Sequence, residues 1–267
     1  MSASDTYQVY AVKYGTMQNR FRRDNFIMAD NHDTLMPLDY YVWALVNKER
    51  TIVVDTGFTP AEGEKRGRKV LRLPREGLAM LGIDAAKVKD VIVTHMHYDH
   101  AGTLDHFPAA RFHINQLEMA FTTGPMMCHD PFRHSMTVDH VCSMVKSLFE
   151  GRVAFHAGDE EIYPGVSVHH IGGHTPGMMS VRVKTKRGWV VLASDAAHFY
   201  EEMDRSKPFV VVYNMDDMIK GWSKLKSLAE SARHVIPGHD PLVMKQYPAP
   251  KSSMEGVVVR LDVEPKR

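Results

Sequence analysis

The spacing of apolar positions changes period several times along the chain, and each change predicts an element. YVWALV at 41–46 and TIVVD at 51–55 are β-branched and aromatic runs joined by the polar NKER at 47–50, which predicts a hairpin. A helix is expected over 73–81, with Pro74 near its start, and a short buried strand over 91–94 that ends at His95. A further strand is expected at 111–114, after which Asn115 and Glu118 have the spacing of a capping box that opens a helix. Val138, Val141, Cys142, Val145, Leu148 and Phe149 recur at helical spacing, so 137–149 is expected to be amphipathic with that stripe inward. Strands are expected at 166–170, 180–183 and 189–192, the last two joined by a turn at Lys186-Arg187-Gly188. A helix over 216–229 and a short strand at Val235 and Ile236 complete the pattern. Strand clusters interleaved with helices imply sheets covered by helices.

Composition adds mainly exclusions. The 267 residues are 44% hydrophobic and 24% charged, enough for a large core, and no repeat or Gly/Ser/Pro linker divides them; residues 1–267 are expected to form one domain. A formal charge of +1 offers no bulk field for nucleic acid or a membrane surface. The cluster Arg20, Arg22 and Arg23 is too short to change this and reads as a solvated turn. No run reaches the roughly 18 apolar residues of a membrane span. The opening MSASDT lacks the basic and apolar regions of a secretory leader, so the cytoplasm is the expected compartment. Cys128 and Cys142 fit no disulfide framework or zinc spacing and are expected to be reduced thiols in or near the core.

Candidate chemistry concentrates in THMHYDH at 94–100. His95 and His97 lie two apart, so an extended backbone turns both imidazoles to one side. Asp99 and His100 follow where the chain turns at Ala101 and Gly102. One strand end thus presents three imidazoles and a carboxylate, donors suited to Zn²⁺ and other first-row divalent ions. The chain has 16 histidines, yet four ligand-type residues within six positions directly behind an apolar strand are poorly explained by chance. Three later residues also follow strands: His174 in GGHTPG, Asp195 at the end of VVLASD and His239 at the end of VIPGH. Seven ligands are too many for one tetrahedral ion.

With these motifs the sequence resembles the metallo-β-lactamase superfamily, from the VVDTG turn at 53–57 to His239. The resemblance implies an αββα sandwich, two mixed sheets packed face to face with helices on both outer faces. It implies that His95, His97 and His174 bind one ion, that Asp99, His100 and His239 bind the second, and that Asp195 bridges them. Asp55 would orient a ligand histidine and fix its tautomer. Two ions about 3.5–4 Å apart activate a bridging water as hydroxide near neutral pH and polarise the substrate carbonyl. Asp99 is also a candidate to carry a proton to the leaving group.

Within the superfamily, the bridging Asp195 separates the chain from the β-lactamases. With a short tail after His239, no flavodoxin-like, glutathione-binding or nucleic-acid-binding domain is expected. The chain is most similar to the N-acyl homoserine lactonase group, which implies ring opening of a lactone or related cyclic ester. The other readings are hydrolysis of another ester, thioester or cyclic amide in a catabolic pathway, or metal binding without catalysis. That group places a tyrosine three residues after the bridging Asp; here the position is His198, followed by Phe199 and Tyr200. His198 is expected to donate to the developing oxyanion in the tyrosine's place, with Tyr200 or the metals alone as the fallback. Met119, Met126, Met127, Met136 and Met144, with Phe121 and Phe132, offer an adaptable apolar wall for part of a small-molecule substrate, or ordinary core. His129, His134 and His140 have no ligand spacing. A homodimer is compatible with the sequence.

Overall fold

A computed structural model describes residues 6–28 and 34–266; the first five residues, on which the leader argument rests, lie outside that range. The first sheet contains β1 (Gln8–Met17), β2 (Leu38–Val46), β3 (Thr51–Val54), β4 (Lys69–Val70), β5 (Asp90–Ile92), β6 (Arg111–Asn115) and β7 (Val153–His156). The second contains β8 (Glu160–Tyr163), β9 (Val166–His170), β10 (Met179–Thr185), β11 (Gly188–Ser194) and β12 (Val235–Pro237); β13 (Val258–Arg260) returns to the first. Strand order is β13-β1-β2-β3-β5-β6-β7, with β4 also on β1, and β12-β11-β10-β9-β8. Both sheets are mixed. In the first, β3, β5, β6 and β7 run parallel and the other pairs antiparallel; in the second only β11 and β12 are parallel.

Strand β2 shows why the sheets stack. Its run is apolar at nearly every position because both faces are covered. Tyr40, Val42 and Ala44 join the core beneath the helices, while Tyr41, Trp43 and Leu45 join the core between the sheets. Val181, Val183, Val190, Leu192 and Ile236 meet them from the second sheet. Trp43 is fully buried there, and its truncation to Ala would cost about 3–5 kcal/mol.

The helices are α1 (Pro60–Lys65), α2 (Pro74–Met80), α3 (Gln116–Thr122), α4 (Asp130–Arg133), α5 (Val138–Phe149), α6 (Tyr200–Arg205), α7 (Met215–Leu228) and α8 (Leu242–Gln246). Leu78 of α2, Met119 and Phe121 of α3 and Met144 of α5 close the outer face of the first sheet. On the second, α7 inserts Met218, Trp222 and Leu225, an i, i+4, i+7 stripe, against Val191, Ala193 and Val235. Asn214 caps α7 by accepting from the backbone N–H groups of Asp216 and Asp217. The αββα sandwich implied by the sequence is the observed architecture. Among the described residues no helix is long and apolar enough to cross a membrane.

Several local expectations need correction. Cys128 and Cys142 are both exposed. In α5 the inward stripe is rotated: Met144 and Ser147 are buried, whereas Val138 and Phe149 are 71% and 88% exposed. Asn115 does cap α3 through Leu117 N–H, but Glu118 does not complete a box; its carboxylate is committed elsewhere. Strand β1 is also covered on both faces: Val9 and Ala11 face one core and Tyr10, Val12 and Tyr14 the other.

Candidate metal centre

The site forms where strand ends of both sheets meet. Asp55 follows β3 with φ at 61°, a left-handed conformation that Asp tolerates better than most residues. Its buried Oδ1 accepts from Thr94 N–H at 2.8 Å and the Thr94 hydroxyl at 3.0 Å. Its Oδ2 accepts from His100 Nδ1 at 2.7 Å, which leaves His100 Nε2 facing inward. The Thr94 and Ser194 hydroxyls lie 2.9 Å apart and link the two sheets beneath the site.

Glu118 joins the loop after β5 to the loop between β9 and β10. It is fully buried; Oε1 accepts from Met96 N–H at 2.9 Å, and Oε2 from the Thr175 hydroxyl at 2.7 Å and Gly177 N–H at 3.1 Å. A Cβ on Gly177 would lie 2.3 Å from Glu118 N, so this approach requires glycine. Gly238 serves the last loop in the same way, since a Cβ there would lie 2.7 Å from Ser194 O and 2.9 Å from Asp195 Oδ1.

Backbone carbonyls orient two further imidazoles. A carbonyl only accepts, so His174 Nδ1–H donates to Val211 O at 2.9 Å and His239 Nδ1–H to Asp39 O at 2.8 Å. His174 Nε2 then lies 2.9 Å from His97 Nδ1, while His239 Nε2 faces Asp99 and Asp195. Asp195 lies between two groups of ligand atoms. Its Oδ2 is 3.4 Å from His174 Nε2 and 3.8 Å from His95 Nε2; its Oδ1 is 3.2 Å from His100 Nε2 and 3.0 Å from His239 Nε2. Asp99 Oδ2 is 3.7 Å from the Nε2 atoms of both His100 and His239.

His95-His97-His174 and Asp99-His100-His239 each bring three ligand atoms within 4.8 Å of one another, as do His95-His100-Asp195 and His174-Asp195-His198. His95 Nε2, His100 Nε2 and Asp195 Oδ1 are buried with no hydrogen-bond partner, an arrangement that a cation at those atoms explains. Burial, reinforced by neighbouring imidazoles, holds His95 and His174 well below the ordinary histidine range, and burial lowers His97 to about 4. Burial alone would raise Asp195, but His239, His100 and His198 outweigh it and hold the carboxyl well below its usual range. Neutral imidazole and ionised carboxylate are the forms a divalent ion binds. His100 goes the other way: burial would lower it, but Asp195, Asp55 and Asp99 outweigh this and hold it well above the ordinary range.

His198 is buried beside these groups. Its ring stacks on Phe209 at 3.6 Å, its Nε2 is 3.1 Å from Asp195 Oδ2, and its Nδ1 is 3.3 Å from Glu202 Oε1. Tyr200 turns away: its hydroxyl is buried without a partner and the residue lines a separate groove, which removes it as a fallback donor. A cavity of about 650 Å³ opens above His97, Asp99, His174, Asp195, His198 and His239.

The cavity walls contain residues that the sequence reading passed over. Tyr40 and Tyr98 face it with hydroxyls 3.5 Å apart, and Phe209, Val211, Arg20, Arg68 and His134 line it too. Tyr98 could have been found, because it lies inside the ligand motif; the others carry no local signal. Arg20 belongs to the site, not to a solvated turn. Of the methionines read as a candidate wall only Met136 lines the cavity, while Met119 and Met144 are buried in the core with Met126 and Met127 packed against it.

Residues 35–239 match the family described as the metallo-beta-lactamase superfamily. An N-acyl homoserine lactonase of a Bacillus species is 25% identical over 230 residues, covering 78% of this chain and 86% of that protein. The N-acyl homoserine lactonase AttM of Azorhizobium caulinodans is 31% identical over 171 residues, covering 60% of this chain and 61% of its own. Among solved structures, an N-acyl homoserine lactone hydrolase with N-hexanoyl-L-homoserine bound at its catalytic metal center has a TM-score of 0.74 over 90% of this chain and 96% of that one. AidC, a dizinc quorum-quenching lactonase, has a TM-score of 0.69, covering 90% of this chain and 92% of its own. At 20% and 14% identity, these two likenesses concern the fold alone. The match over 35–239 runs through every clustered residue from Asp55 to His239, and the chain belongs to the metallo-β-lactamase superfamily.

Proposed function

We propose that the protein is a dinuclear metal hydrolase, zinc its expected metal, that opens a lactone or closely related cyclic ester. The observation that carries this reading is Asp195, whose two oxygens face two separate groups of buried ligand atoms, each with one nitrogen, His95 Nε2 or His100 Nε2, that has no hydrogen-bond partner. His95, His97 and His174 would hold one ion, Asp99, His100 and His239 the other, with Asp195 shared. When bound, two such ions supply water activation near neutral pH and polarisation of the ester carbonyl. The relatives named as N-acyl homoserine lactonases support a lactone as the substrate.

The chain's own side chains account for the remaining steps. Asp99 carries a proton to the departing ring oxygen. His198 stands beside Asp195 on the cavity floor and holds the substrate oxygen as charge develops on it. Phe209, Val211, Leu38 and Met136 give the apolar part of the substrate a dry surface.

One experiment tests both assignments. Protein reconstituted with zinc should hold close to two ions per chain by elemental analysis and release acid from lactones in a pH-stat. Asp195→Ala should lose metal together with nearly all turnover, whereas His198→Ala should keep its metal and lose about 10²-fold in kcat. At most one ion per chain in excess zinc would sink the dinuclear reading. Wild-type kcat in His198→Ala would show that His198 only packs the loop.

A further inference from the structure

We propose that the substrate carries an anionic group, a carboxylate or a phosphate, which Arg20 and Arg68 hold on the cavity wall. The proposal deepens the hydrolase reading above and rests on it for the reacting end of the molecule.

Both guanidinium groups belong to half-buried residues that line the same cavity as Asp195 and His198. Neither has a carboxylate within 4.0 Å among the described residues. Arg20 is held by neutral partners, the Asn25 side chain, the Asp24 carbonyl and the Met17 sulfur. Asn25 is itself fixed by donating to Met36 O at 3.0 Å. Arg20 lies 5.5 Å from the centre of the Phe209 ring, and that ring stacks on His198. The Phe209 ring thus contacts both this cation and His198 on the cavity floor.

Arg68 spends one N–H on Arg66 O at 2.7 Å, and its buried Nε has no partner. Arg66 makes the contrast clear. It pairs with Glu62 and donates to His134 O and Met136 O, so its charge is already answered. Burial pulls Arg20 below its ordinary range, and the Arg68 charge acts in the same direction.

Burial of Arg20, with the Arg68 charge acting on it, costs free energy that an arriving anion relieves. Burial acts on Arg68 in the same direction, but Tyr40, Tyr98 and Asp99 outweigh it, so Arg68 keeps its charge. A guanidinium's planar fork fits both carboxylate and phosphate oxygens. A neutral acyl chain would need only the apolar wall beside them.

The test uses zinc-loaded protein and one lactone scaffold, an N-acyl homoserine lactone whose acyl chain ends in a carboxylate, a phosphate monoester or a neutral methyl ester. The charged forms should exceed the methyl ester in kcat/KM by at least about tenfold, mainly through KM. Their advantage should shrink in about 0.5 M salt. It should fall toward one in Arg20→Gln/Arg68→Gln and survive partly in Arg20→Lys/Arg68→Lys, with zinc content and melting temperature measured for each. Which charged form gains more identifies the oxyanion.

Turnover of all three lactones at equal efficiency would overturn the proposal and leave the lactonase reading intact. If no lactone is turned over, calorimetric binding of glutarate against glutaramide decides. Glutarate affinity lost in the Gln pair at full zinc content supports the anion site although the lactonase reading fails. Affinity equal in wild type and the Gln pair overturns the site.

Discussion

At the scale of single residues, Asp55 separates two roles that are easily confused. Its left-handed φ of 61° makes the turn after β3, and Asn tolerates that conformation as well as Asp does. Only the carboxylate offers acceptors on both oxygens, one for Thr94 and one for His100 Nδ1–H. Asp55→Asn should therefore keep the turn and fold while loosening the His100 ring. Metal affinity measured by chelator competition should fall about 10–100-fold. Unchanged affinity would reduce Asp55 to a turn former.

The same residues show how far sequence reasoning reaches. His95, His97, Asp99 and His100 were legible because their spacing and the strand before them are local. Glu118, Arg20 and Arg68 were not, because each takes its meaning from partners distant in sequence. Glu118 in particular sits at a position where a helix cap explains it equally well, and only the fold brings Met96 and Gly177 to its oxygens.

At the scale of elements, the two sheets are tied at the start of β5, the end of that strand opposite His95. Asp90 on β5 accepts from His113 Nε2–H of β6 at 3.1 Å and from the Tyr163 hydroxyl of β8 at 3.0 Å. Burial would raise the Asp90 carboxyl, but these hydrogen bonds outweigh it and hold it below the ordinary range. A carboxyl depressed in the folded state stabilises fully above its unfolded pKa of about 3.9, and that stability disappears as pH falls through the lower folded value. Asp90→Asn should lose about 1–2 kcal/mol at pH 7. Its urea midpoint should also fall less steeply than wild type below about pH 4. Parallel acid slopes would mean that the contact contributes nothing to the linkage.

Element type proved easier to read than orientation. Helix α5 lies where the spacing placed it, yet Phe149 points outward and Met144 inward. Its sequence carries apolar residues on more than one face, so only contact with the sheet selects the buried one.

At the scale of the whole molecule, the site spans the open end of the sandwich. His95 through His100 follow β5 of the first sheet; His174, Asp195 and His239 follow β9, β11 and β12 of the second. Without an ion, that end holds buried nitrogens and an oxygen with no partner, which opposes close approach of the two sheets. Ions shared across it would bind the folded chain and not the separated strands, so metal binding should appear directly as stability. Free ion a thousandfold above its Kd adds about 4 kcal/mol at one site. For a chain of this size, chelation should then lower the melting temperature by roughly 10 °C. Imidazoles must be neutral to bind, and burial holds His95, His97 and His174 below the ordinary histidine range. The difference between zinc-loaded and chelated protein should therefore shrink as pH falls toward about 4, where His97 protonates. Asp195→Ala, lacking the shared carboxylate, should gain much less from zinc at any pH. Scanning calorimetry of wild type and variant, each with zinc and with chelator, checks all three expectations. Equal melting temperatures for zinc-loaded and chelated wild type would show that the sandwich closes without its ions, and that the seven residues hold metal too weakly to join the sheets.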